Sequence, residues 1–227
     1  MNDVASSLAI QRPRPAPASL TERAYSLIEE LIATLQLAPG EVLSETALSQ
    51  RLDIGRTPVR EALQRLAREG LVTILPRRGI LVSDFNVKSQ LRMLEVRREI
   101  ERLLARSAAE RANDEERVRL GEIAAEMRAA AKSDDDIRFM RLDKEFNQLV
   151  TGAARNEFAA KTIALMAGLS RRFWFMHHQH VDDLPEAAER HARVAEAVAN
   201  GDLSAAADAS DALLDYVESI TRAAVDW

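Results

Sequence analysis

Glycine and proline are distributed unevenly along the 227 residues, and this constrains the fold more than any other feature. Pro39, Gly40, Gly55, Pro58, Gly70, Pro76 and Gly79 punctuate one short region, whereas Ile80 to Leu120 contains neither residue. Beyond that stretch only Gly121, Gly152, Gly168, Pro185 and Gly201 occur. Both residue types interrupt regular structure, so this pattern predicts a small mixed domain followed by an all-helical one. Pro13, Pro15 and Pro17 lie in a Ser- and Ala-containing stretch with no apolar period, which predicts a disordered arm over residues 1–18. The expected division is an arm at 1–18, a small mixed domain at 19–84 and an all-helical domain at 85–227.

Within 19–84 the apolar spacing of Ala24, Leu27, Ile28, Leu31, Ile32 and Leu35 predicts a helix over about Thr21 to Leu35, with Ser19 and Glu22 at capping-box spacing. Ser44 is placed to cap a short helix that ends at Asp53-Ile54-Gly55. Thr57 is expected to cap the next helix with Pro58 at its first position, and Gly70 to end it. The β-rich runs Leu71–Leu75 and Ile80–Val82 flank Pro76-Arg77-Arg78-Gly79, which reads as a hairpin tip. The remainder predicts helices near 87–112, 114–132, 135–151, 156–179, 184–199 and 203–224, with a short linker at Asp84-Phe85-Asn86. The fold class is mainly α: a winged helix-turn-helix with a small β-hairpin, then a helical bundle.

The chain carries a net charge of -5, which argues against coating nucleic acid through bulk charge. Between Arg51 and Arg78, however, seven arginines (Arg51, Arg56, Arg60, Arg65, Arg68, Arg77 and Arg78) face only Asp53, Glu61 and Glu69. An arginine can grip a phosphate or a guanine edge with two parallel N–H donors. Arg56 and Arg60 sit at the start of the third helix, the end that enters a major groove, where Thr57 adds a hydroxyl and free backbone N–H groups suit a phosphate. Arg78 and Gly79 sit at the wing tip. There is no cysteine, so thiolate catalysis, thiolate metal sites and disulfides are excluded. No apolar run is long enough to span a membrane and no secretory leader is evident, compatible with a reducing cytoplasm.

Leu43-Ser44-Glu45, Leu48, Gly55-Arg56-Thr57-Pro58-Val59-Arg60-Glu61-Ala62-Leu63, Leu66, Glu69-Gly70-Leu71-Val72 and Pro76-Arg77-Arg78-Gly79 closely resemble the GntR family of bacterial transcription regulators. The helical remainder resembles the FCD ligand-binding domain of its FadR subfamily. The resemblance implies a cytoplasmic homodimer on palindromic double-stranded DNA, usually a repressor, whose affinity a small metabolite controls. It implies that Arg56 and Arg60 contact operator bases, with Ser44, Glu45 and Thr57 in support and Gly79 in the wing.

The resemblance also implies a divalent metal (zinc, nickel or manganese) held by an Asp, a His four residues later and two His on the last two helices. Asp143 and His191 fall at the first and third of these positions. Asn147 stands in place of the first His and Leu213 near that of the last, so two positions depart from the pattern. His177 or His178 is a candidate replacement ligand. A metal-free site would hold its effector, expected to be a carboxylate, through Arg97, Asn147, Arg171, Arg172 and His191. Arg97 with Glu101 reads equally as a structural i,i+4 pair, and of Phe173-Trp174-Phe175 at most two can share a face.

Two other functions fit parts of the pattern. A metal-dependent helical-bundle enzyme would use Asp143, His191 and His177, but no HExxH, GxSxG, P-loop or dinucleotide fingerprint is present. An architectural DNA-coating protein is disfavoured by the acidic total and the large second domain.

Overall fold

The structure is a computed structural model that describes residues 19–84, 86–177 and 184–224. The expected arm at 1–18, Phe85 of the linker, His178 and the break at Asp182-Asp183 lie outside the described residues. The elements run α1 Leu20–Ala33, β1 Val42–Leu43, α2 Glu45–Leu52, α3 Arg56–Arg68, β2 Val72–Leu75, β3 Gly79–Val82, α4 Val87–Arg111, α5 Asp114–Lys132, α6 Asp136–Ala153, α7 Glu157–His177, α8 Leu184–Asn200 and α9 Leu203–Ala223. The winged helix-turn-helix and the helical bundle are both present.

Side-chain caps set most helix starts. The Ser19 hydroxyl accepts from the Glu22 N–H and the Ser44 hydroxyl from the Ala47 N–H. Asn113 and Glu116 form a reciprocal capping box at α5. The start of α3 differs from expectation. Gly55 is its N-cap and makes no side-chain cap bond, so Thr57 and Pro58 lie inside the first turn. Proline is tolerated there because the first four N–H groups of a helix have no intrahelical partner to lose.

The sheet has the order β1-β3-β2, all antiparallel. β1 was not foreseen, because two residues are too few to show an alternating pattern. Leu75 pairs with Gly79 across a tip made of Pro76, Arg77 and Arg78, so Gly79 belongs to the strand rather than the tip. Arg77 and Gly79 both have positive φ, +62° and +104°. A Cβ on Gly79 would also stand 3.2 Å from the Leu43 carbonyl oxygen, so this position favours glycine on both counts.

Two apolar cores form. One unites Ala24, Ile28 and Ile32 of α1 with Val59, Leu63 and Leu66 of α3 and Val82 of β3. The other joins the long helices around Leu104, Leu120, Phe139, Phe146, Val194 and Leu214. The two meet where α7 packs on α1. Leu169 reaches the first core, and Gly168 lets Leu71 approach: a Cβ there would lie 2.6 Å from Leu71 Cδ1. Within the bundle α6 and α7 pack little on each other, leaving a cleft between them.

Candidate DNA-reading face and effector cavity

Arg56 and Arg60 lie at the exposed start of α3. Glu45, at the start of α2, takes both Arg60 Nε (2.9 Å) and Nη2 (2.7 Å) and lies 4.0 Å from Arg56 Nη2. Its carboxyl is held below the usual range, first by the hydrogen bond from Arg60. Glu45 therefore sets the orientation of Arg60 across the helix-turn-helix. A groove of about 530 Å³ separates α3 from the hairpin, and Arg56, Arg60, Arg77 and Arg78 all line it. Ser44 also lines the groove, with its hydroxyl engaged in capping α2, while Thr57 is exposed one residue after Arg56.

Arg65 departs from this set. It turns away from the groove, donates to Glu22 (2.9 Å) and Glu69 (3.0 Å), and lies 3.6 Å above the centre of the Tyr25 ring. The Tyr25 hydroxyl donates to Glu69 Oε2 at 2.8 Å. Burial, and then the Glu69 charge, push the Tyr25 phenol far above its ordinary value, so it remains a neutral donor.

The cleft between α6 and α7 is a cavity of about 360 Å³. Arg97, Asn147, Arg171 and His191 line it, as the sequence predicts, together with Asp143, Glu101, Lys144 and Trp174. Arg97 donates to Glu101 Oε1 at 2.5 Å and also to the Ser170 hydroxyl across the cleft. The i,i+4 pair and the cavity wall are thus one feature.

His191 Nδ1 lies 2.7 Å from the Ala187 carbonyl oxygen, and its Nε2 lies 3.1 Å from Asp143 Oδ1. Both partners are acceptors, an arrangement that favours the doubly protonated ring. Burial pushes His191 down. The hydrogen bond and charge of Asp143 outweigh it, and the net direction is up. Burial likewise pushes Asp143 up, but His191, Arg171 and Arg97 together hold it below the usual carboxylate range. Asn147 Nδ2 donates to Asp143 Oδ1 at 2.7 Å. Edges of Phe139 and Phe146 flank the imidazole, with centres 5.5 and 5.8 Å away.

These residues do not make a metal centre of the expected kind. Asp143 and His191 bond directly to each other, Asn147 turns its amino group to Asp143, and Leu213 is buried among apolar residues. Among the described residues no group of three or more His, Asp, Glu or Cys is placed to hold a metal. The candidate replacement His177 instead packs on Phe173, with ring centres 4.5 Å apart.

Arg172 is a correction. It is fully buried and does not line the cavity, and its Nη1 and Nη2 have no hydrogen-bond partner among the described residues. Consecutive helical residues point about 100° apart, so Arg171 faces the cavity while Arg172 turns elsewhere. Burial pushes the Arg172 guanidinium below its ordinary value against the opposing charge of Asp84.

The sequence reading missed the junction between the two cores. Glu29 of α1 is 1% exposed and is held by Lys144 Nζ (2.8 Å) and by Arg171, two cations that also line the cavity. Burial pushes Glu29 up, but Arg171 and Lys144 more than offset this and hold it below its ordinary value. Arg141 adds a 2.6 Å pair with Glu30. Glu29 had one legible signal: it lies beside Ile28 and Ile32 on the apolar stripe of α1, where an unpaired charge would not be tolerated.

A basic groove on a winged helix, joined to a bundle with an internal cavity, defines the class of winged-helix DNA-binding regulators. Comparison with known proteins narrows the class. The profile described as "Bacterial regulatory proteins, gntR family" matches residues 20–82, and the FCD domain matches residues 92–216. The chain belongs to the GntR family, in the group whose second domain is FCD. It is 31% identical over 162 residues to the HTH-type transcriptional repressor RspR of Escherichia coli, covering 71% of each chain. It is 31% identical over 202 residues to an HTH-type transcriptional regulator from an unstable DNA locus of Streptomyces ambofaciens, covering 86% of this chain and 84% of that one. Among solved structures, E. coli McbR/YncC superposes with a TM-score of 0.78 at 18% identity, over 92% of this chain and all of that one, which is a likeness of fold. The protein is thus a DNA-binding transcriptional regulator and not an enzyme. No helix among the described residues is long and apolar enough to cross a membrane.

Proposed function

We propose that this regulator is a cytoplasmic homodimeric repressor whose hold on a palindromic operator is controlled by a small carboxylate bound in the α6–α7 cavity. Residues 19–84 read DNA and residues from 85 onward bind effector and dimerise. Arg56 and Arg60 read bases, Arg78 and the bare backbone at Gly79 approach the minor groove, Ser44 and Thr57 support the phosphate contacts, and Glu45 orients Arg60. A single winged helix covers few base pairs, so two related by a two-fold axis gain both sequence and avidity. The repressor sense has support in the name of RspR.

One observation carries the effector reading. Arg97, Arg171, Lys144 and His191 converge on one cavity with fewer carboxylates, Asp143 and Glu101, in its wall. An added carboxylate there completes the charge balance that a low-dielectric site requires. Two of these cations, Arg171 and Lys144, also hold Glu29, so an anion in the cavity competes for partners of the DNA-reading domain and shifts its position.

Selection of binding sequences from a random duplex pool tests the DNA half. A short palindrome bound by two chains is expected, and equal affinity for all sequences rejects it. A thermal-shift screen of small carboxylates on wild type and Arg97→Ala tests the effector half. Elemental analysis beside it is expected to find no stoichiometric zinc, nickel or manganese. A full complement of metal that vanishes in His191→Ala would restore the metal reading.

A further inference from the structure

The cavity wall is not confined to the bundle. Tyr25 of α1 and Arg65 of α3 line the same space as Arg97, Arg171 and His191. Arg65 stands on the DNA-reading helix, five residues after Arg60, which is about 7.5 Å along the axis. Its guanidinium stacks on the Tyr25 ring and is tethered by Glu22 and Glu69, so both side chains have fixed positions. Lys144 Nζ, from the bundle side, lies 5.8 Å from the centre of the same ring.

We propose that the effector site is shared between the two domains: an amphipathic anion in the cavity lies directly against Tyr25 and Arg65, and so touches the rear of the DNA-reading helix. This rests on the reading of the cavity as an anion site and adds two ligand-contacting residues to it. The anionic end lies with Arg97, Arg171 and His191. The apolar body runs along Trp174, Ile163 and Ala167 of α7. The same molecule also meets the Tyr25–Arg65 stack, where an aromatic or second anionic group gains most. Occupancy then reaches the helix carrying Arg56 and Arg60 through one contact rather than through the length of the bundle.

The test uses 8-anilinonaphthalene-1-sulfonate, an aromatic anion, with the full chain carrying Trp227→Phe, so that Trp174 in the cavity wall is the sole indole. Saturable quenching of Trp174 at one probe per chain is expected. Arg97→Ala is expected to weaken the probe about tenfold and Arg65→Ala about fivefold, while Arg222→Ala, on the exposed face of α9, leaves it unchanged. Hydrogen exchange on the chain with Arg65 intact guards against a misfolded variant. The probe is expected to slow exchange at residues 22–29 and 62–69 as well as in α4, α6 and α7. Sensitivity to Arg97 alone, with protection confined to the bundle, overturns the shared site and leaves the anion cavity standing. No Trp174 quenching, or indifference to Arg97, overturns both.

Discussion

The protein presents arginines in two settings, and their difference is instructive. On the DNA-reading face Arg56 and Arg60 are more than half exposed, at 62% and 53%, and share the single carboxylate of Glu45. In the cavity Arg97 and Arg171 are about one-tenth exposed, and each is already paired, with Glu101 and with Glu29. An exposed cation keeps its hydration and is available to phosphates, at the cost of screening by salt. A buried cation survives only with a partner, so an incoming anion must join or replace an existing pair. One residue type thus provides exposed cations on α3 and, in the cavity, cations that are already paired.

Breaking the buried side of this contrast gives the largest effect. Arg171→Ala leaves Glu29 buried with Lys144 alone and is expected to cost about 3–5 kcal/mol, toward the lower end because one cation remains. Urea unfolding measures this. Adding Glu29→Gln is expected to recover part of the loss, and simple additivity of the two changes would show that they do not interact. On the exposed side, Arg60→Ala is expected to lower affinity for the selected operator roughly 10- to 100-fold and to relax sequence preference. Its unfolding curve should stay in place. A uniform loss on every sequence would reduce Arg60 to a phosphate contact.

Acid sharpens the comparison through Glu29. Folding holds its carboxyl below the ordinary value of 4.5. The stability this confers is complete above that value and is lost as pH falls through the lower folded one. Stability measured downward from pH 5 is therefore expected to fall less steeply in Glu29→Gln than in wild type. The smallest effect belongs to the exposed Arg222–Glu218 pair, where Arg222→Ala is expected to change stability by at most about 0.5 kcal/mol. A larger change would mean that this part of α9 is covered by a partner.

Much of the fold was legible because its signals are local. Capping side chains, apolar spacing and turn residues act within a few positions of one another, so helices such as α5 and α9 begin where Asn113 and Asp202 indicate. The start of α3 was misplaced because proline suits several positions of a first turn. The exposed pair Arg56 and Arg60 was legible for the same local reason. Arg56 and Arg60 are one turn apart, and helical spacing alone puts them on one face.

The cavity was legible only in pieces. Arg97, Asn147, Arg171 and His191 were found, but Arg172 could not be separated from Arg171 until the rotation of α7 was known. Arg65 counted as one more basic residue of the DNA surface until Tyr25, Glu22 and Glu69 were seen to turn it inward. Glu29 and Lys144 are 115 residues apart, and no periodicity links them. By itself the sequence determined the family, most helix starts and the shared exposed face of Arg56 and Arg60, because those depend on neighbours in the chain. The tertiary structure decided which charges are buried, which carboxylate each cation meets, and that one cavity touches both domains. Desolvation and pairing depend on what surrounds a side chain in space, and that is set only when distant helices pack.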